Sequence, residues 1–71
     1  MPNYCVNKLA QPISRDHEVH NLNASCPYAP APVNQSALGW HADCRSAVSK
    51  AKTIYTDVNG CYYCCRECHT T

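Results

Sequence analysis

Thiol side chains are concentrated near the carboxyl-terminal end of this chain. Four of the seven cysteines lie there, at Cys61, Cys64, Cys65 and Cys68, and His69 follows the last of them. Zinc is held in proteins by four ligands in a tetrahedron, usually thiolate sulfur and imidazole nitrogen. Spacings of 61–64, 65–68 and 64–68 would each supply two such ligands. The segment therefore predicts half of a metal site.

The other half of the site is expected from the first third of the chain. A turn rich in Asn and Ser separates His20 from Cys26, so both side chains could converge on one point. The carboxyl-terminal partners stay open at this stage, because Cys64 and Cys65 are adjacent and would point apart. We expect a single ion, Zn²⁺, and no catalytic residues.

The small size of the chain explains why it would need such a site. Its 71 residues make one domain, residues 1–71, with no phenylalanine and one tryptophan. A chain this short buries only about 60% of its unfolded surface, so its core is marginal without a disulfide, a metal or a partner. An odd number of cysteines cannot all pair within one chain, which favours metal ligands over a disulfide framework.

The start of the chain and its hydropathy predict a cellular location. The first residues have no basic start followed by an apolar run, so we expect no signal peptide and a reducing, cytoplasmic environment. No apolar stretch approaches the roughly 20 residues of a spanning helix, so no membrane partner is expected.

Hydrophobic patterning predicts an α+β fold that consists of a small antiparallel three-stranded sheet, one helix and a C-terminal zinc knuckle. Residues 3–9 alternate as a strand with Tyr4 and Val6 inward, residues 17–20 form the return strand, and residues 38–40 form a third strand. Asp43 is a suitable N-cap for the helix that follows. An apolar stripe predicts that this helix packs on the sheet. The stripe consists of Ala47, Val48, Ala51, Ile54 and Tyr55. Asn59 and Gly60 are expected to form the turn after it.

The order of these features resembles the Ada-type metal-binding fold, which is the zinc domain of the Ada methylphosphotriester DNA repair protein and its relatives. The likeness covers roughly residues 4–69 and rests on His20, Cys26, the segment 38–40, Asp43, Gly60 and the cysteines after it. The chain also resembles short bacterial cysteine-rich proteins with a DHEVH-like start and a GCYYC-like end. Carried over by position, the resemblance implies the ligands His20, Cys26, Cys64 and Cys68. The spacing from His20 to Cys26 and the spacing from Cys64 to Cys68 both differ from the spacing in Ada, so Cys61 and Cys65 remain alternative ligands.

The sequence is compatible with several functions for a protein with this metal site. We expect a non-enzymatic, zinc-stabilised module that acts through a protein partner. The formal net charge is +1, so the strongly basic surface of a nucleic-acid binder is absent. Nucleic-acid binding is the first alternative, with the contacts Arg45, Lys50, Lys52 and Trp40. A thiol redox or alkyl-acceptor protein is the second, because in Ada a zinc-bound thiolate takes a methyl group from a DNA phosphate. Cys5 and Cys44 are each expected to be a core residue, a disulfide partner or a reactive thiol, and the sequence does not select among these roles.

Overall fold

A computed structural model describes residues 1–70 of the chain. They form a four-stranded sheet in the order β3–β1–β2–β4, with one α-helix packed against it. The elements are β1 (Asn3–Asn7), β2 (His17–Asn21), β3 (Gln35–Trp40), α1 (Cys44–Ala51) and β4 (Val58–Gly60). Two short 3₁₀ turns, Pro32–Asn34 and Arg66–Cys68, lie before β3 and at the carboxyl-terminal end. The predicted α+β class with one helix is confirmed.

The prediction of three antiparallel strands is wrong, because the sheet has a fourth strand and is mixed. β1 pairs antiparallel with both β2 and β3, whereas β4 pairs parallel with β2. The sequence pattern indicated a turn at Asn59 and Gly60, yet Asn59 lies opposite Glu18 and Gly60 lies opposite Val19. A parallel pair needs a long crossover. The segment between β2 and β4, which contains β3 and α1, provides one.

The core lies between the sheet and α1. Tyr4 and Val6 of β1 face it, as the alternation predicted, and they meet Val19 and Leu38 from the neighbouring strands. The helix contributes Cys44, Ala47 and Ala51. Cys5 lies opposite His20 in the β1–β2 ladder, so these two fully buried side chains share the other face of the sheet.

Helix α1 begins as predicted and ends earlier than the stripe indicated. The Asp43 side chain accepts a hydrogen bond from the Arg45 N–H, as an N-cap does. The N–H groups of Ile54 and Tyr55 both bond to the Ala51 carbonyl, so the chain turns there instead of continuing as a helix. Tyr55 consequently stacks on His17 at 3.8 Å between ring centroids, and Ile54 remains half exposed.

None of the helices within residues 1–70 has the length and apolar character that a bilayer crossing requires.

Truncating Leu38 should destabilise the fold strongly, because it is the largest fully buried side chain, at 1% exposure. We expect Leu38→Ala to lower the free energy of unfolding by about 2–5 kcal/mol, measured by chemical denaturation. Leu9→Ala is the matched control, since Leu9 is 59% exposed. It should change the stability by less than about 0.5 kcal/mol. Equal losses in the two variants would contradict the placement of the core.

Candidate metal centre

One imidazole and three thiols converge on a single point of the structure. They belong to His20, Cys26, Cys61 and Cys64, and their ligand atoms all lie within 4.8 Å of one another. His20 and Cys61 are buried, while Cys26 and Cys64 are partly exposed. This cluster could hold a metal ion, and it contains three of the four ligands that the sequence predicted together with one of the two alternates.

Each ligand is positioned by backbone hydrogen bonds. His20 lies within β2, and Cys61 extends the β2–β4 pairing because its N–H bonds to the Val19 carbonyl at 3.0 Å. The Cys65 N–H bonds to the Cys61 carbonyl at 2.9 Å, which closes a turn that presents Cys64. Cys26 follows the turn after β2, where its N–H bonds to the Ala24 carbonyl. The predicted convergence of His20 and Cys26 is therefore present.

The turn that carries Cys61 and Cys64 follows Gly60, where neighbouring atoms leave no room for a Cβ. A Cβ at Gly60 would lie 2.8 Å from the Cys65 carbonyl oxygen and 2.8 Å from the Cys68 Cβ. No side chain is accommodated at that distance, because the opposing atoms are backbone and a Cβ rather than the end of a flexible chain. The sequence pattern indicated a turn at Gly60. In the structure, the missing Cβ of Gly60 instead allows Cys65 and Cys68 to approach the backbone closely.

The distances between ligand atoms suit a tetrahedral ion. Bonds of about 2.3 Å to sulfur and about 2.0 Å to nitrogen give tetrahedral edges of about 3.8 Å between sulfurs and about 3.5 Å between sulfur and nitrogen. The Cys26 and Cys61 sulfurs lie 3.7 Å apart, and the Cys64 sulfur lies 3.5 Å from His20 Nδ1. Cys26 Sγ lies 4.0 Å from the same nitrogen. The first two of these distances match the edges of a tetrahedron, and the third is longer than the corresponding edge.

The second nitrogen of His20 supports the same interpretation. Nε2 is buried and makes no hydrogen bond within residues 1–70, and Glu18 Oε1 lies 3.7 Å from it. An ion on Nδ1 would place the ring proton on Nε2, facing this carboxylate. Carboxylates commonly support metal-bound histidines in this way. Burial raises the pKa of the Glu18 carboxyl.

Two of the three thiols, those of Cys61 and Cys64, are held as neutral groups by their surroundings. Burial raises the pKa of Cys61 to about 12. A hydrogen bond with Cys65 and then burial raise the pKa of Cys64 to about 11. The Asn21 N–H donates to the Cys64 sulfur at 3.3 Å, a contact that would favour its thiolate. A bound cation would supply the positive charge that the deprotonated sulfurs need.

Cys68, which the resemblance to Ada implied as the fourth ligand, has a different partner. Its sulfur forms a disulfide with Cys44 at the start of α1, across 24 residues. The assignment of Cys68 is therefore corrected to Cys61. The spacing of Cys61 and Cys64 was one of the pairs that the sequence offered, but no local signal indicated that α1 would bring Cys44 beside Cys68.

The remaining candidates lie outside the cluster. Cys5 and Cys65 are buried free thiols, and burial raises the pKa of Cys5 to about 11. His69 Nδ1 lies 3.0 Å from the Gly60 carbonyl oxygen. His17 stacks on Tyr55 and does not join His20 in the cluster.

Comparisons of the chain with family models, with curated proteins and with solved structures found no match. The class that the fold and the cluster define is therefore a small, cysteine-rich α+β protein with a candidate metal centre. The resemblance to the Ada-type fold stays a prediction.

Replacing Cys61 should abolish tight metal binding, because three ligands would remain. We expect Cys61→Ser to weaken zinc affinity by more than the 10–100-fold that loss of a supporting residue costs. The matched control is the double variant Cys44→Ser/Cys68→Ser, which removes two sulfurs outside the cluster and should retain one ion per chain. Competition with a chromophoric chelator measures both. Loss of the ion only in the double variant would restore Cys68 as a ligand.

Metal binding should release at least two protons at pH 7, since Cys61 and Cys64 have raised pKa values. Each released proton makes the apparent affinity about tenfold weaker when the pH falls by one unit, so we expect a loss of about 100-fold or more from pH 7 to pH 6. Titration in a weakly buffered solution measures the release directly. An affinity independent of pH would contradict a thiolate site.

Proposed function

We propose that this chain is a small non-enzymatic module, stabilised by one zinc ion and acting through a partner. The observation that carries the proposal is the cluster of three sulfurs and one imidazole nitrogen within 4.8 Å. Three thiolates with one imidazole is a recurrent structural zinc set, and tetrahedral sulfur and nitrogen ligation favours zinc over harder cations.

The number of protein ligands supports a structural role over a catalytic one. Catalytic zinc sites keep one position for water or substrate, whereas structural sites are closed by four protein ligands. His20, Cys26, Cys61 and Cys64 would fill all four positions. A substrate would find no vacant position on the ion, so we propose that the ion acts by holding the fold.

The composition of the core explains why an ion would be needed. Apart from Tyr4, Val6, Val19 and Leu38, the buried apolar residues are alanines and cysteines, which bury little area each. Structural zinc contributes about 10–16 kcal/mol of apparent binding free energy at neutral pH in small domains of this kind. That is as large as the whole stability of a typical domain.

The cytoplasmic location stays a prediction. Free thiols that bind a metal suit a reducing compartment, while the disulfide between Cys44 and Cys68 suits an oxidising one.

Removal of the ion should unfold the protein. We expect native mass spectrometry to find one zinc per chain. A strong chelator should abolish the cooperative thermal transition, with the Cys44–Cys68 disulfide kept oxidised. Added Zn²⁺ should restore the transition and Mg²⁺ should not, because Mg²⁺ prefers oxygen ligands. An equally stable protein without any ion would overturn the proposal.

A further inference from the structure

A cavity of about 160 Å³ lies beside the candidate metal centre. It is lined by aromatic rings and by oxygen-bearing or sulfur-bearing side chains. The lining residues are Gln11, Glu18, Tyr28, Cys61, Tyr62 and Tyr63. Cys61 belongs to the metal cluster, and Glu18 faces the His20 ring from the other side. The cavity and the metal centre therefore share a wall.

Three tyrosine rings form one continuous side of this cavity. Tyr28 and Tyr63 stack with ring centroids 4.6 Å apart, and Tyr62 meets Tyr63 edge to face at 5.2 Å. A hydrogen bond between the side chains of Tyr28 and Tyr63 raises the pKa of Tyr63. All three side chains remain about half exposed to solvent. Clustered exposed aromatic rings of this kind commonly mark a binding site.

The electrostatics of the cavity favour a positively charged occupant. Glu18 contributes a carboxylate and Gln11 an amide oxygen, and the described lining includes no basic side chain. The faces of aromatic rings carry negative charge density. The Arg66 guanidinium shows this attraction and takes up one face of the Tyr62 ring, 5.0 Å from its centre, so that face is closed to a second cation. A zinc ion with three thiolates would add a net charge of −1, from +2 and −3, directly behind the wall.

We propose that this cavity binds an organic cation of the methylated ammonium class, held by the faces of the tyrosine rings and by the Glu18 carboxylate. Aromatic surfaces recognise quaternary ammonium groups by cation–π attraction. The size is suitable, since a cavity of about 150 Å³ accommodates a ligand as large as benzene. A trimethylammonium group has four heavy atoms. This inference deepens the proposed function and rests on it, because it gives the zinc-stabilised module a ligand class.

The first test separates charge from shape. Choline and its neutral isostere 3,3-dimethylbutan-1-ol would each be titrated into zinc-loaded protein and followed by NMR shifts of the tyrosine rings. We expect choline to bind at least fivefold more tightly than the alcohol, since cation–π attraction contributes a factor of about 2–30. Equal binding of the two, or no binding of choline, would overturn the inference.

Variants locate the bound cation. Tyr63→Leu keeps an apolar side chain and removes the ring, and Glu18→Gln keeps the shape and removes the charge. Each should weaken choline binding about fivefold or more. Tyr63→Leu should retain its zinc, and Glu18→Gln is compared under excess zinc that keeps the site loaded, because the Glu18 carboxylate also faces His20. Trp40→Leu is the matched control, because Trp40 is 61% exposed on β3, at the far edge of the sheet. It should leave choline affinity unchanged. An equal loss in all three variants would place the cation elsewhere.

Two sources could supply the same cation, a small free molecule or a methylated lysine side chain in another protein. A peptide carrying trimethyl-lysine and the same peptide with unmodified lysine would be compared with choline. Tighter binding of the trimethylated peptide than of choline assigns the ligand to a modified protein, and the reverse order assigns it to a free molecule.

The metal content of each sample keeps the two proposals distinguishable. A chain that takes up no zinc overturns the proposed function. A zinc-loaded chain that does not distinguish choline from the alcohol overturns this inference alone.

Discussion

The convergence of three thiols and one imidazole on a single point is the constraint around which the fold is arranged. Neutral thiols in that position add little packing, and deprotonated ones would repel one another inside the protein. A bound cation would remove the repulsion and would join three parts of the chain. His20 belongs to β2, Cys26 to the loop after it, and Cys61 and Cys64 to the segment after β4. With few bulky apolar side chains in the core, an ion at this centre would contribute much of the stability that we propose for the fold.

The carboxyl-terminal segment is attached to the rest of the molecule at two neighbouring places. The cluster brings Cys61 and Cys64 to β2, and the disulfide joins Cys68 to the start of α1. The two residues between Cys61 and Cys64 cannot be buried as well, because their flanking side chains turn inward. Tyr62 and Tyr63 therefore project to the surface, where they meet Tyr28. The same turn that would hold the ion thus builds the aromatic wall of the adjacent cavity.

Local signals predicted much of the first half of the fold. Alternation placed Tyr4 and Val6 on the core face, and the Asp43 cap marked the start of α1. The sequence pattern gave a wrong prediction at β4, because Asn59 and Gly60 indicate a turn when only their neighbours in sequence are considered. Their actual role depends on pairing with β2, which is distant in sequence. The helix also ends before Tyr55, and the stacking of Tyr55 on His17 that follows is a tertiary contact that local patterning does not show.

Residue types and spacing were sufficient to predict a small cysteine-rich α+β domain in which His20 and Cys26 meet thiols of the carboxyl-terminal segment. They could not select among those thiols, because closely spaced cysteines offer several chemically equivalent pairs. The selection follows from where β4 and α1 lie. β4 continues along β2 and delivers Cys61 beside His20, and α1 begins where Cys44 reaches Cys68. These positions arise from packing between distant segments, and no local pattern encodes them.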